Sequence, residues 1–172
     1  MRTLLLLIMV ASTMVRADSN PVTLSVKQTA AVDNKGKTGD TKTQTRSLDI
    51  TMNNLGRAEL KVTVNYWFFA RDLKKGSEEI YKHGSRSATL PSNTPMMVQS
   101  DTITTTFTEE HVEIEKSKGG KGGGKGKNKS KATKVEASGD RITGYAVQVL
   151  VGKDLAAEFY SAPSLKQKLT GK

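Results

Sequence analysis

Leu60-Lys61-Val62-Thr63-Val64-Asn65-Tyr66-Trp67-Phe68 places an apolar side chain at every second position. Successive side chains of a strand point to opposite faces, so Leu60, Val62, Val64, Tyr66 and Phe68 share one face. Lys61, Thr63 and Asn65 occupy the other, which suits a sheet covered on one side. The same period appears upstream in Val22, Leu24 and Val26, and again in Leu48, Ile50 and Met52. Downstream it returns in Tyr145, Val147, Val149 and Val151, and then in Leu155, Ala157 and Phe159. Met97 to Glu115 is rich in Thr, Val, Ile and Phe, with Ile103 and Phe107 on one face. Glu79 to His83 reads as a short edge strand.

Turn residues separate these runs. Asp33 to Asp40 is polar and glycine-containing, and Asn53-Asn54-Leu55-Gly56 suits a tight turn. Lys74-Lys75-Gly76 reads as a hairpin connection, and Pro91 and Pro95 bracket another turn. Gly152-Lys153-Asp154 reverses the chain, and Pro163-Ser164 starts one helical turn reaching Leu169. About seven strands and no helix of ordinary length predict an all-β, antiparallel β-sandwich. A closed barrel of similar size has the same strand pattern.

The run Leu48 to Gly56, followed by Leu60 to Phe68, resembles the B and C strands of bacterial immunoglobulin-like or fibronectin-type-III-like domains. Tyr145 to Phe159 resembles their final hairpin. The resemblance extends as pattern over most of residues 21–162, without the cysteine pair of true immunoglobulin domains. It implies an immunoglobulin-like sandwich serving as a spacer, an adhesion module or a binding module, and fold likeness does not choose among these.

The N-terminus carries a different signal. Arg2 precedes an apolar run from Leu4 to Val10, and Val15-Arg16-Ala17 stands before Asp18. This is the layout of a secretory signal peptide covering residues 1–17, cleaved after Ala17. The run is shorter than the roughly 20 residues a membrane-spanning helix needs. The expected product is an exported protein, periplasmic or secreted, with no membrane span and one domain over residues 18–172. Cysteine is absent, so disulfides, thiol catalysis and cysteine-based zinc sites are excluded.

The net charge is +10. Arg2 and Arg16 leave with the leader, which brings the balance to +8. Lys116, Lys118, Lys121, Lys125, Lys127, Lys129, Lys131 and Lys134 supply all eight in one stretch free of acids. The remaining body is therefore neutral. Gly119, Gly120, Gly122, Gly123, Gly124 and Gly126 interleave the lysines, so the stretch is expected to be a disordered Lys/Gly loop inserted over residues 117–133. Such an arm suits an anionic polymer: acidic polysaccharide, lipopolysaccharide or nucleic acid. Candidate anion-binding residues are Lys118, Lys121, Lys125, Lys127, Lys129 and Lys131. No aromatic is interleaved for base stacking. The bland alternative is a solvated insertion with no role.

Other motifs are weak. Lys125 and Lys127 are followed by Gly126 and Asn128, where a phosphate-binding loop needs Ser or Thr. Asn128-Lys129-Ser130 matches a glycosylation acceptor. His111, Glu113 and Glu115 share one strand face near Glu109, a pattern that fits either a metal site or a solvated edge. Trp67 is either packed or an exposed platform for a ligand such as a sugar ring. Only His83 and His111 could serve as imidazole bases, and no nucleophile elbow occurs. The sequence predicts no enzyme and no cofactor. It predicts a structural or interaction protein of the envelope or extracellular space, with an unknown protein or envelope partner. Anionic-polymer binding is the alternative.

Overall fold

A computed structural model describes residues 22–35, 41–115 and 131–170 of the chain. The strands are β1 (Val22–Lys35), β2 (Thr41–Asn54), β3 (Leu60–Asp72), β4 (Glu78–Leu90) and β5 (Pro95–Gln99). They continue as β6 (Ile103–Thr108), β7 (His111–Glu115), β8 (Lys131–Val135), β9 (Ser138–Val151) and β10 (Asp154–Tyr160). One short helix, α1 (Pro163–Thr170), follows.

The order across the main sheet is β1-β2-β6-β9-β3-β4, with β5 alongside β2 and β10 alongside β9. All strand pairs are antiparallel. The sheet folds into two layers and does not close into a barrel. β1, β2 and β5 form one layer; β4, β3, β9 and β10 form the other. β6 joins them at one end, leaving β2 to meet the start of β9.

Leu48, Ile50 and Met52 of β2 face Val62, Val64, Tyr66 and Phe68 of β3 and Val147 and Val149 of β9 in one buried cluster. These are the side chains that period-2 reading placed on one face. Burying each large apolar side chain contributes roughly 1.5–3 kcal/mol, which lets a chain without crosslinks hold together.

The described residues contain ten strands rather than about seven. The strand from Pro95 to Thr108 is split because Ser100 to Thr102 leaves the ladder. The Ser100 hydroxyl accepts the Leu48 N–H at 2.8 Å, and the Tyr66 hydroxyl accepts the Asp101 N–H at 3.2 Å. Those side chains replace ladder bonds that the kink removes. β4 is far longer than the edge strand expected over 79–83, because its pairing with β3 continues through polar residues to Leu90. Asp33 to Lys35 also belong to β1 rather than to a loop.

Two glycines are required by close approach. Gly84 of β4 lies opposite Tyr66, and a Cβ there would stand 2.3 Å from the ring. Gly139 has φ +86, and its Cβ would meet the Thr106 carbonyl oxygen at 2.3 Å, where β9 crosses β6.

α1 covers the outer face of the second layer. Leu165 packs with Phe69 and Ala146, and Trp67, Tyr160, Ala162 and Leu169 surround them. Lys168 pairs with Glu78 and Lys166 with Glu158, tying the helix to β4 and β10.

Candidate cationic hairpin

β6 and β9 pair through Phe107↔Gly139 and Thr108↔Ser138. β7 and β8 pair from His111↔Val135 to Glu115↔Lys131. The partners' numbers add to the same total throughout, so both ladders belong to one hairpin in one register. Glu109 and Glu110 on one strand, opposite Glu136 and Ala137 on the other, interrupt it. Residues 116–130 stand between β7 and β8 in the sequence. Lys118, Lys121, Lys125, Lys127 and Lys129 lie there, outside the described residues. Lys131 lies on β8, so the ladder takes in 131–133, the last three residues of the expected insertion.

The outer part of the hairpin stands as its own two-stranded ribbon. Val112 and Ile114 are 61% and 63% exposed. Ala132 and Lys134 pair with Ile114 and Val112, and so share their face. The other face carries His111, Glu113, Thr133 and Val135.

Ion pairs hold the base of the ribbon. Glu109 receives Lys42 Nζ of β2 at 2.6 Å and lies 3.6 Å from Arg141 of β9. The hydrogen bond from Lys42 holds the Glu109 carboxyl below its ordinary pKa, aided by the charges of Lys42 and Arg141. Arg141 also sits over the Phe107 ring at 5.7 Å. Lys134 pairs with Glu110 at 3.1 Å. Glu109 thus serves as a bracket between body and ribbon, a role its position in the sequence did not reveal. The clue was its place between two strand patterns, beside a second acid.

His111 Nδ1 lies 2.9 Å from the Glu109 carbonyl oxygen, and its Nε2 is 3.6 Å from Glu113. Among the described residues, no three His, Asp or Glu side chains converge on a point where a metal ion could sit.

Trp67 belongs to a different part of the molecule. It lies opposite His83 in the β3–β4 ladder, and the two rings stack at 4.9 Å and 22°. It is half-buried, packed on the cluster beneath α1. Among the described residues, no helix is long and apolar enough to cross a membrane.

No protein-family model matches this chain. No curated protein matches it. One solved structure, titled "X-ray structure of Northeast Structural Genomics Consortium target SoR45", is 16% identical. It covers 70% of this chain and 86% of its own, with a TM-score of 0.36. A likeness at that level does not bear on what the chain does.

Proposed function

We propose that this chain is an exported, non-catalytic interaction protein of the cell envelope or extracellular space, whose neutral body mounts a lysine-tipped hairpin toward an anionic polymer. The observation that carries this reading is the constant register from Phe107↔Gly139 to Glu115↔Lys131. It supports a two-stranded arm whose outermost described pair, Glu115↔Lys131, flanks the acid-free Lys/Gly segment in the sequence.

The arm's chemistry favours an acidic polysaccharide or lipopolysaccharide over nucleic acid, since its tip offers charge and no aromatic stacking. The leader-like layout of residues 1–17 supports export. Kinship with immunoglobulin-like or fibronectin-type-III-like modules is part of the same reading, supported by two packed antiparallel layers and short turns. In that role the body is a spacer, and the edge strands β1 and β4 offer unpaired ladders to a protein partner.

The test replaces residues 116–130 by a four-residue Asn/Gly turn and compares binding to alginate, a uronic acid polymer. Intact protein should bind, and the replacement should lose binding while its Tm stays within about 4 °C of the parent, since loop closure entropy changes by only about 1 kcal/mol. With duplex DNA as a calibrating polyanion, six lysine contacts should give a log–log salt slope of about −5. Equal binding by the shortened chain, or binding indifferent to salt, overturns the assignment.

A further inference from the structure

The inner face of β2 changes character along its length. Met52, Ile50 and Leu48 are fully buried in the core, and the next two positions on that face are Arg46 and Gln44. β1 changes at the same level, from Val22, Leu24 and Val26 to Gln28. An arginine therefore points between the two layers of the sandwich.

Across from it, the β9 edge is open. β6 pairs with β9 only as far as Gly139, and pairing with β10 starts at Ala146 of β9, so residues 140–145 have β3 alone as a strand neighbour among the described residues. Side chains close the two ends of this window. Gln44 Oε1 accepts the Ile142 N–H at 3.0 Å, and Ser161 Oγ accepts the Tyr145 N–H at 2.9 Å. Between them a cavity of about 200 Å³ opens, walled by Gln28 and Arg46 on one side and Ile142, Thr143, Gly144 and Ser161 on the other.

Among the described residues, no acidic side chain lines that cavity. Among the described residues, Arg46 forms one hydrogen bond, a long one of 3.4 Å from Nη1 to Gln28 Oε1. Its Nε is shut from solvent without an acceptor among the described residues. Thr105, opposite Gln44 and diagonal to Arg46, likewise has a buried hydroxyl without a partner among the described residues. An inward guanidinium without a counter-charge costs stability, and a well-packed apolar side chain would serve the fold better.

We propose that this cleft binds a small carboxylate through Arg46. The planar guanidinium fork matches a carboxylate, and one positive charge balances one negative charge. A space of about 200 Å³ fits a single acidic sugar or organic acid. The site is independent of the lysine-tipped arm, so it survives or fails separately from that reading.

The test uses the processed full chain, glucuronate as probe, and amide NMR shifts of residues 142–145 and 161 as readout. Glucose serves as the uncharged control, acetate as the minimal carboxylate, and inorganic phosphate as the competing anion. Glucuronate and acetate should shift those amides at millimolar concentration, and glucose should not. Arg46→Met should weaken glucuronate binding about tenfold to hundredfold while holding or raising Tm, and Arg46→Lys should fall between. Replacing residues 116–130 should leave this binding unchanged. The proposal is overturned by equal binding of glucose, by tighter binding of phosphate, or by undiminished glucuronate binding in Arg46→Met. It is also overturned by no shifts at about 50 mM glucuronate, a concentration at which even a weak site fills.

Discussion

Gly84→Ala should destabilise this protein, although alanine is the better residue in most strands. A Cβ at position 84 would stand 2.3 Å from Tyr66 Cζ, 2.3 Å from its hydroxyl oxygen and 2.5 Å from Cε2. Unbonded carbon atoms rest about 3.5–4.0 Å apart, so the ring must retreat by more than about 1 Å. It has little room: Tyr66 is 1% exposed, and its hydroxyl holds the Asp101 N–H. Overpacking of this kind costs typically about 1–3 kcal/mol, against which removing a strand glycine gains about 0.5–1 kcal/mol. A net loss of about 1 kcal/mol lowers Tm by about 2–4 °C in a chain of this size. The control is Tyr66→Leu, because all three overlapping atoms lie at the far end of the ring, which leucine lacks. In that background Gly84→Ala should turn neutral or stabilising. Urea melts of the four proteins give the coupling energy directly. A Gly84→Ala protein as stable as the parent, or an equal penalty in the leucine background, refutes the argument that the ring needs this glycine.

Acidification should release α1 before the sandwich melts. Hydrogen bonds from Lys168 to Glu78 and from Lys166 to Glu158 are the main causes holding both carboxyls below their ordinary pKa. Depressed carboxylates stabilise above the unfolded value of about 4.3, and that support is lost as pH falls through the folded values. Trp67 is the sole tryptophan and packs beneath the helix, so its emission should shift to the red below about pH 4.5 while far-ultraviolet circular dichroism keeps its β signal. A fluorescence change that coincides with global unfolding counts against this. Asn54 offers a second pH test. Its buried amide donates to the Ala58 carbonyl oxygen at 2.7 Å and the Leu90 carbonyl oxygen at 3.4 Å, and its Oδ1 accepts the Gly56 N–H at 2.9 Å. Asn54→Asp exchanges two donors for a carboxylate facing carbonyls. It should cost about 2–4 kcal/mol at pH 7 and less near pH 3.5, where the carboxyl is protonated. Equal urea midpoints for parent and variant at pH 7 disprove it.

The alternation in Leu60 to Phe68 and in Tyr145 to Val151 was enough to identify β3, β9 and the core face they share. Pro163-Ser164 likewise announced α1. β4 was underread because an edge strand meets solvent along most of its length, so Lys82 to Thr89 needs no apolar rhythm. The hairpin's shared register was invisible, because register depends on the partner strand and not on either sequence alone. Arg46 was missed for a related reason. The apolar pattern of β2 fades there, and nothing local says that the strand continues with its inward face turned polar. The lysines were legible as charge, but the pairing of β7 with β8 that flanks them was not.

β9 touches β3, β6 and β10, and it is drawn from the last quarter of the chain. A ribosome delivers β1 and β2 early, and their hairpin closes over short range. β3 must wait about 70 residues of synthesis for its central neighbour. At about 5–20 residues per second, that interval lasts several seconds. Throughout it the β3 edge that β9 will occupy is an unpaired ladder, and the core lacks Val147 and Val149, so a nascent chain stalled or clipped before Ser138 should be a sticky fragment rather than a smaller folded protein.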